Sequence, residues 1–338
     1  MIRVGICGAG HIVPNHAQAI ARTDGVELVA ISSRTMASAR KMARQCRARQ
    51  AYDDHRALIE SPEVDVVLVA TPNYQHAELA LRAIDAGKHV MVEKPLAMTV
   101  AQGRRMVAAA KRAGVQLIYA EQLPLAPKFA RLIAMARDGA FGEIYMVRQI
   151  ERHAGPYSPW FFQKKTAGGG ALMDLGCHSL AVVREILGKQ AVRRVSAVAR
   201  TFGHPESDVD DFMIVQLEFA GGTIGVVESN WLHQGGMDSI TEIFGSRGNG
   251  YADLFKGSGL ELYDEKPAPG LHARLGGWRK TQVDPCYDNG YVAQMEAMRA
   301  TVLRDASPAQ SGEDGVAILE IMAAAYRAAK KWGVKLKE

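Results

Sequence analysis

The stretch that decides the fold is Ile2-Arg3-Val4-Gly5-Ile6-Cys7-Gly8-Ala9-Gly10-His11-Ile12-Val13-Pro14. Its first five residues, Ile2–Ile6, are mostly apolar and predict a short buried β-strand. A helix is predicted next, from about Val13 to Arg22. Two glycines, Gly8 and Gly10, lie between these elements. The stretch therefore predicts a strand, a glycine turn and a helix in direct succession.

This arrangement is typical of a site that binds a dinucleotide pyrophosphate. The first glycine, Gly8, permits the sharp turn, and the second, Gly10, lets the backbone approach a pyrophosphate at the helix N-terminus. A third glycine commonly allows close packing of helix and strand, but Val13 occupies that position. The motif is degenerate, and its position after an N-terminal strand is what supports the interpretation.

Strands and helices alternate over the rest of the first third of the chain. Further strands are predicted at Val26–Ile31, Val64–Val69, His89–Val92 and Val115–Tyr119, and helices at Met36–Arg47, His76–Ala86 and Val100–Ala113. This alternation predicts an α/β domain with a doubly wound parallel sheet of the Rossmann type. We assign residues 1–121 to this domain.

After Glu121 the pattern changes, and residues 122–338 are predicted to form an α+β domain with a mostly antiparallel open sheet. Gly221-Gly222 between two strand-like runs is a hairpin signal. Pro267-Ala268-Pro269-Gly270 is predicted to be a surface loop. Strands are predicted at Val192–Arg200, Phe212–Phe219, Thr223–Ser229 and Ile240–Phe244, and helices at Phe129–Arg137, Leu172–Leu187, Tyr291–Arg304 and Asp314–Lys331. We expect the closing helices to be able to pack back on the first domain.

Composition argues against several classes of protein. The 338 residues are 48% hydrophobic and 23% charged, the ordinary balance of a globular protein. The net charge of +5 is spread along helices, so we expect no nucleic-acid partner. No apolar run is long enough for a membrane span and no signal peptide is evident, which predicts a cytoplasmic protein. The four scattered cysteines suggest neither a metal site nor a disulfide framework.

The end of the second predicted strand bears on the choice of dinucleotide. Sites for NAD usually carry an acidic residue there, which binds the ribose hydroxyls. This chain has Ser32-Ser33-Arg34 instead. Two hydroxyls and a guanidinium suit the 2′-phosphate of NADP, whereas stacking of Arg34 on adenine would leave NAD possible. The sequence thus predicts NAD or NADP, with a slight preference for NADP.

Three later segments carry a family resemblance. They are Ala70-Thr71-Pro72-Asn73 followed by His76, then Glu93-Lys94-Pro95, then Gly168-Gly169-Gly170 with Asp174 and His178. In this order and spacing the chain resembles the glucose-fructose oxidoreductase/inositol dehydrogenase (Gfo/Idh/MocA) family. The resemblance implies hydride transfer between NAD(P) and a hydroxyl of a sugar, cyclitol or related polyol. It also implies a homodimer or homotetramer formed through the second-domain sheet.

The resemblance assigns the catalytic roles to Lys94, Asp174 and His178, and their chemistry is consistent with those roles. Oxidation of an alcohol requires a base for the hydroxyl proton, and a histidine titrates near neutral pH. Asp174 lies four residues before His178, so on a helix the carboxylate could orient the imidazole. Lys94 follows a buried strand and could donate to the substrate oxygen. We expect Pro95 to direct Lys94 into the cleft, through a peptide bond that proline allows to be cis.

The remaining candidates were assigned by position. Glu121 replaces the family's common Asn-x-Arg pattern after the sixth strand and could contact nicotinamide or a substrate hydroxyl. The aromatic, proline-rich segment 152–161 is interpreted as a substrate loop. The predicted cofactor-binding residues are Gly8, Gly10, His11, Ile12, Ser32, Ser33, Arg34, Thr71, Pro72, Asn73, His76, Glu93, Lys94 and Glu121. The predicted substrate-binding residues are Lys94, His153, Tyr157, Trp160, Asp174, His178 and Tyr287.

Two other functions remain open at this stage. A glycosidase that retains NAD through oxidation, elimination, hydration and reduction would use the same Lys94, Asp174 and His178. A non-catalytic regulator that senses a dinucleotide on the same fold is the second alternative, and it would be expected to have lost one of the three.

Overall fold

The computed structural model describes residues 1–255, 259–264, 277–282 and 289–331. The predicted loop at Pro267–Gly270 and the substrate candidate Tyr287 lie outside these residues. The chain divides into two compact units. The first comprises residues 1–122, 165–168 and 290–319, and the second comprises residues 123–164, 169–289 and 320–338.

The first unit is built on a six-stranded parallel sheet; the sequence predicts the parallel sheet and five of its strands but misses the short edge strand Gln50–Tyr52. Its strands are β1 (Ile2–Cys7), β2 (Val26–Ser32), β3 (Gln50–Tyr52), β4 (Val66–Val69), β5 (His89–Glu93) and β6 (Leu117–Ala120). They lie in the order β3-β2-β1-β4-β5-β6, and every pair in this sheet is parallel. The order reverses between β1 and β4, which is where open α/β sheets bind their ligands.

The helices are numbered through the whole described chain. They are α1 (Val13–Ala21), α2 (Met36–Cys46), α3 (His55–Glu60), α4 (Asn73–Asp85), α5 (Val100–Ala113), α6 (Pro127–Arg137), α7 (Lys164–Ala167), α8 (Cys177–Ile186), α9 (Tyr291–Val302) and α10 (Gly312–Ala329). Among them, none is long and apolar enough to cross a membrane.

The central strand β4 shows why the sequence indicates a parallel sheet. All four of its side chains are fully buried, because helices cover the sheet on both faces. Gly114 ends α5 in the left-handed conformation that favours glycine, with φ of 68°. In the same unit, Met295 and Met298 of α9 join the core formed by β1, β2 and α1.

The second unit is built on an eight-stranded, mostly antiparallel sheet, again as predicted. Its strands are β7 (Ile144–Arg152), β8 (Val192–Arg200), β9 (Phe212–Phe219), β10 (Ile224–Asn230), β11 (Asp238–Gly245), β12 (Gly248–Asp253), β13 (Gly259–Asp264) and β14 (Gly277–Gln282). Their order is β14-β13-β12-β11-β7-β10-β9-β8. Only β7 and β10 pair in parallel within this sheet, and Gly222 forms the predicted hairpin turn between β9 and β10 with φ of 86°.

The helical stretch that carries Asp174 differs from the regular helix that the sequence predicts. Residues Leu172–Gly176 form a π-helix, and α8 continues from Cys177. Bonding between residues five apart widens this turn and changes the direction of its side chains relative to an α-helix. Turns of π-helix are frequent at functional sites. This one contains Asp174, which the sequence predicts to be catalytic.

Candidate active site

The carboxyl ends of the parallel strands bring together most of the predicted dinucleotide residues. The backbone N–H of Gly8 donates to the carbonyl oxygen of Ser32 over 2.9 Å, which joins the ends of β1 and β2. The backbone N–H of Ala70 donates to the carbonyl oxygen of Cys7 over 2.8 Å, which joins the ends of β1 and β4. Glu93 ends the next strand, β5. Residues from four separate parts of the sequence therefore share one edge of the sheet.

The two glycines of the turn lack a side chain for different physical reasons. Gly8 has φ of 132°, and a Cβ atom there would lie 2.2 Å from the carbonyl oxygen of Ala70. Packing of the protein itself therefore requires glycine at this position. Gly10 is exposed, its φ lies outside the left-handed region, and a Cβ atom there would meet nothing within 4 Å. Its missing side chain leaves open space at the start of α1, which fits a pyrophosphate of NAD or NADP.

The other residues of the turn support the helix. Val13, at the position of the usual third glycine, is fully buried in the core of the first unit. Ile12 is the N-cap of α1 and packs partly against the same core, whereas His11 is exposed. A valine is thus accommodated where helix and sheet meet.

The segment after β2 divides into a buried and an exposed part. Ser32 is fully buried, and its Oγ lies 2.8 Å from Nδ1 of His55, a histidine whose pKa is lowered by burial. The backbone N–H of Ser33 donates to the carbonyl oxygen of Tyr52 over 3.0 Å. Arg34 is exposed. Within this segment, the half-buried Ser33 and the exposed Arg34 are the side chains left to face a ligand.

The residues after β4 tie neighbouring loops to one another. His76 on α4 is buried, with Nε2 2.8 Å from the carbonyl oxygen of Thr71 and Nδ1 2.8 Å from that of Pro95. Burial lowers the pKa of His76, although both carbonyls favour its charged form. Asn73 donates its side-chain N–H to the carbonyl oxygen of Ala167 over 2.8 Å. Both side chains bind backbone of the protein, while Pro72 is the N-cap of α4.

Glu93 is held by a buried histidine of α1. His16 Nε2 lies 2.6 Å from Glu93 Oε1, and the backbone N–H of Lys94 donates to Glu93 Oε2 over 2.9 Å. Burial alone would raise the pKa of Glu93, but His16 and Lys94 lower it overall. The Lys94–Pro95 peptide bond is cis. Glu93 therefore anchors the backbone from which the Lys94 side chain starts.

Tyr291 of α9 completes the surroundings of His16. The two rings meet edge to face with centroids 5.2 Å apart. Burial raises the pKa of the Tyr291 phenol, which also accepts from the amide of Gln122 over 3.4 Å. Glu121, which follows β6, is fully buried. Its backbone N–H lies 3.2 Å from the Gln294 side-chain oxygen, in the amide orientation that satisfies both neighbours.

In the second unit, Asp174 lies in the π-helical turn and is only 7% exposed. Its Oδ2 atom accepts from Nε1 of Trp231 over 3.1 Å. Nε2 of His153 lies 3.5 Å from the same oxygen. A buried carboxylate needs donors of this kind, because leaving even a neutral polar group without a partner costs about 2–7 kcal/mol and leaving an ionised carboxylate without one costs more. Asp174 is thus a fixed, buried acceptor.

The hydrogen bonds of His153 determine which of its nitrogens carries the proton in the neutral ring. The backbone N–H of Gly155 donates to Nδ1 over 2.9 Å, so Nδ1 is an acceptor. The proton of a neutral imidazole then resides on Nε2, the nitrogen that faces Asp174. His153 therefore presents an N–H to the carboxylate.

Aromatic side chains surround this part of the second unit. Trp160 stacks on Phe161 with ring centroids 3.7 Å apart. Phe162 meets Trp231 edge to face at 5.6 Å. Tyr157 is 89% exposed. The segment 152–161 therefore brings His153 to Asp174, presents Tyr157 to solvent and leaves Trp160 half-buried.

His178 lies in the first turn of α8 and is 5% exposed. It follows Asp174 by four residues, across the junction between the π-helix and α8. Cys177 donates its thiol to the carbonyl oxygen of Asp174 over 3.3 Å, which closes this junction. Both predicted catalytic residues of the second unit are therefore buried in one continuous helical segment.

Sequence reasoning missed three residues that hold this site. Trp231 contacts Asp174 from 57 positions away, and His16 contacts Glu93 from 77 positions away. The third, Asp210, precedes β9 and binds the backbone that begins the helical segment of Asp174. A single sequence carries no signal for contacts at such separations. The nearest hint is the glycine run 168–170, which marks a close backbone approach.

Comparisons with known proteins agree along the chain. Residues 2–121 match the model of an oxidoreductase family with an NAD-binding Rossmann fold. Residues 129–250 match the model of the GFO/IDH/MocA C-terminal domain. The myo-inositol 2-dehydrogenase of Thermotoga maritima is 30% identical over 342 residues, covering 100% of this chain and 99% of the relative. The D-glucoside 3-dehydrogenase of Escherichia coli is 29% identical over 97% of this chain and 95% of the relative.

Solved structures give the same picture. GenD2 from gentamicin A biosynthesis, solved in complex with NAD, has a TM-score of 0.86 and 34% identity, covering 97% of this chain and 94% of that one. A levoglucosan dehydrogenase in complex with NADH and levoglucosan has a TM-score of 0.88 and 27% identity, covering 98% of this chain and 97% of that one.

The turn glycines give the first testable prediction. Gly8→Ala should lower the free energy of unfolding by about 1–3 kcal/mol, because its Cβ would meet the Ala70 carbonyl. Gly10→Ala should leave thermal unfolding close to wild type but weaken NADH and NADPH binding at least about tenfold, because its methyl enters the open space of the turn. Thermal unfolding and dinucleotide fluorescence titration measure the two effects. Unchanged dinucleotide affinity in Gly10→Ala would contradict the assignment of the turn.

Proposed function

Because the chain belongs to the Gfo/Idh/MocA family of NAD-binding oxidoreductases, we propose that it transfers a hydride between a nicotinamide dinucleotide and a sugar-like polyol. The reacting group is a secondary hydroxyl or keto group of a sugar, cyclitol or related compound. The enzyme is an NAD(P)-dependent dehydrogenase or reductase acting on CH–OH groups. Relatives named as inositol, glucoside and anhydrofructose enzymes support this substrate class.

One observation carries the proposal beyond family membership. The chain keeps a buried Asp174 four residues before a buried His178, and Trp231 and His153 fix the carboxylate of Asp174. A fixed carboxylate close in sequence to a histidine suits a group that must exchange a proton with substrate. A regulator without catalysis would have no need for this arrangement.

The roles of the residues follow from the chemistry of alcohol oxidation. A nicotinamide dinucleotide held at the carboxyl edge of the first sheet would supply the acceptor for the hydride. His178 takes the hydroxyl proton, and Asp174 orients its ring and stabilises the charged form. The Lys94 ammonium donates a hydrogen bond to the substrate oxygen and stabilises negative charge as it develops. Glu93 fixes the start of the Lys94 side chain through the backbone N–H of Lys94.

Binding roles are proposed for the remaining predicted residues. Ribose, phosphate and nicotinamide contacts fall to residues at the carboxyl edge of the first sheet: Gly8, Gly10, His11, Ile12, Ser33, Arg34, Thr71, Pro72, Lys94 and Glu121. The sequence also predicts contacts from Ser32, Asn73, His76 and Glu93, but we propose that these four support the edge from within, since their polar atoms bind other parts of the protein. His153, Tyr157 and Trp160 are proposed to contact the substrate, as sugar rings pack against aromatic faces.

A cofactor-reduction screen tests the function. Wild-type enzyme, incubated with NAD or NADP and a panel of myo-inositol, glucosides and levoglucosan, should produce reduced cofactor with at least one compound. Lys94→Ala should lower kcat about 10²–10³-fold while dinucleotide affinity stays within about twofold, because the lysine acts on the developing charge. Lys111→Ala removes an exposed lysine of the first unit and is the matched control.

The same screen separates the alternatives. Cleavage of a glycoside without net cofactor reduction would replace the dehydrogenase with a glycosidase that retains its cofactor. Dinucleotide binding without turnover of any compound would favour the regulator. Wild-type kcat in Lys94→Ala would remove the lysine from the mechanism.

The choice between NAD and NADP depends on Arg34. We propose a slight preference for NADP, because no acidic residue follows β2 and the exposed Arg34 can bind a 2′-phosphate. Two similar structures were solved with NAD or NADH, so the same experiment also tests a preference for NAD. Arg34→Ala should raise the KM for NADP about tenfold or more and that for NAD less, because a charged hydrogen bond is lost. Arg44→Ala, an exposed arginine of the last turn of α2, is the control. Equal losses for both dinucleotides would contradict the preference.

We also propose that the open face of the second sheet forms a homodimer or homotetramer. Half-buried apolar side chains such as Val226 and Phe244 alternate there with ion pairs, including Arg148 with Glu242 at 3.3 Å. In light scattering at micromolar concentration, Val226→Glu should lower the mass to that of the monomer, because it places a charge in the centre of this face. Tyr145→Glu, at an exposed position on the opposite face of β7, should keep the wild-type mass. A monomeric wild type would refute the proposal.

A further inference from the structure

The buried carboxylate of Asp210 binds the start of the helical segment that carries Asp174. The proposed mechanism does not use this carboxylate. Asp210 is 7% exposed. Its Oδ1 accepts from the backbone N–H of Gly170 and its Oδ2 from that of Leu172, each over 3.0 Å. Its own carbonyl oxygen accepts from the N–H of Ala171 over 2.8 Å. One residue therefore satisfies three successive N–H groups at a helix start, where the helix itself provides no acceptors.

The approach of Asp210 to this backbone is close enough to require glycine. A Cβ atom on Gly170 would lie 1.7 Å from the carbonyl oxygen of Asp210. A Cβ atom on Gly169 would lie 2.2 Å from the hydroxyl oxygen of Tyr326. The absence of a side chain at both glycines therefore lets Asp210 and Tyr326 approach the backbone closely, and this close packing fixes the start of the helix.

Tyr326, on α10, is the third member of this arrangement. Its hydroxyl donates to Asp210 Oδ1 over 2.8 Å and accepts from the backbone N–H of Gly170 over 3.1 Å. The carboxylate of Asp210 thus receives three donors, two backbone N–H groups and one phenol. Burial raises the pKa of Asp210, and these three donors counteract that shift. A neutral amide in its place would find no acceptor for its N–H among them.

The residue next to Asp210 fixes the other partner of Asp174. The carbonyl oxygen of Asp211 accepts from the backbone N–H of Trp231 over 2.8 Å. The indole of Trp231 in turn donates to the carboxylate of Asp174 over 3.1 Å. Asp210 therefore holds the start of the helix that carries the acceptor, Asp174. Asp211 holds the backbone of the donor, Trp231.

We propose that Asp210 and Tyr326 are positioning residues for the reaction: they set the placement of the helix start and, through it, the carboxylate of Asp174. Neither residue touches the reacting atoms. Their effect passes through Leu172, two residues before Asp174, into a π-helical turn whose register the Asp210 contacts fix. This inference rests on the proposed function where it concerns turnover. The geometric part, the link from Asp210 to the Trp231–Asp174 bond, stands apart from the reaction.

The test uses Asp210→Asn, which keeps the shape but turns a donor toward a donor, and Tyr326→Phe, which removes one hydroxyl. With the compound of the cofactor-reduction screen that the wild-type enzyme turns over fastest, and at a temperature well below unfolding, Asp210→Asn should lower kcat about 100-fold and Tyr326→Phe about tenfold. NADH affinity should stay within about twofold, because the predicted dinucleotide residues belong to the first unit. Asp208→Asn is the matched control, since Asp208 is exposed and accepts instead from the backbone N–H of Lys164.

A second measurement needs no substrate. In ¹⁵N-labelled enzyme, the indole N–H resonance of Trp231, assigned with Trp231→Phe, should shift in Asp210→Asn, in Tyr326→Phe and in the positive control Asp174→Asn. It should stay in place in Asp208→Asn. Should Asp210→Asn fail to fold, Tyr326→Phe carries both measurements.

The outcomes separate this inference from the proposed function. An unshifted Trp231 resonance in folded Asp210→Asn and Tyr326→Phe would overturn the inference, whatever the activity. A loss of thermal stability with wild-type kcat and an unshifted resonance would also overturn it, because that is the result of a purely structural role. A shifted resonance supports the geometric link even if the wild-type enzyme turns over no polyol, a result that would refute the proposed function alone.

Discussion

The parallel direction of the first sheet is the constraint on which its candidate site depends. Parallel strands place all their carboxyl ends along one edge, so residues far apart in sequence become neighbours wherever strands end. The hydrogen bonds from Gly8 to Ser32 and from Ala70 to Cys7 are direct products of this alignment. The same edge holds Glu93, whose pKa the contact with His16 lowers against the effect of burial and which in turn holds the backbone of Lys94. The side chain of Lys94, for which we propose a role at the substrate oxygen, thereby starts from a fixed backbone position.

In the second unit, the main constraint is the burial of the carboxylate of Asp174. Asp174 is almost inaccessible; its carboxylate accepts from the indole N–H of Trp231 and lies 3.5 Å from Nε2 of His153. The donors must be rigid for the carboxylate to be rigid. Trp231 is fully buried among aromatic side chains, and the tautomer of His153 is set by Gly155. The electrostatic requirement of one side chain thus accounts for the packing of several others.

Sequence patterns predicted the architecture because the architecture is periodic. The continuous apolar run of β4 and the alternation of β9 each report a local period that burial imposes. Strand β7 escaped prediction for the opposite reason. Gln149 and Glu151 are fully buried in it, where their polar groups meet Ser239 and Thr241 of β11. Polar residues satisfied by a strand some 90 positions away carry no local signal of burial.

The same limit applies to the site. The sequence alone identifies residues that belong to short motifs, because the spacing of a motif can be read along the chain. Examples are Gly10, Lys94, Asp174 and His178. The residues that hold them, such as His16 and Trp231, are related to them only by the fold. A motif therefore identifies the groups that we propose for the chemistry more readily than the groups that fix their geometry.

Glycine shows how one residue type can mark either kind of position. Gly8 and Gly170 are required by the protein's own backbone, since a Cβ atom on either would collide with a carbonyl oxygen. Gly10 faces open space, so nothing in the protein itself demands that it lack a side chain. A glycine that the fold does not need is best explained by a ligand that does. Within the glycine turn that decides the fold, the first glycine is therefore required by the architecture, and the second is the one that we propose the dinucleotide requires.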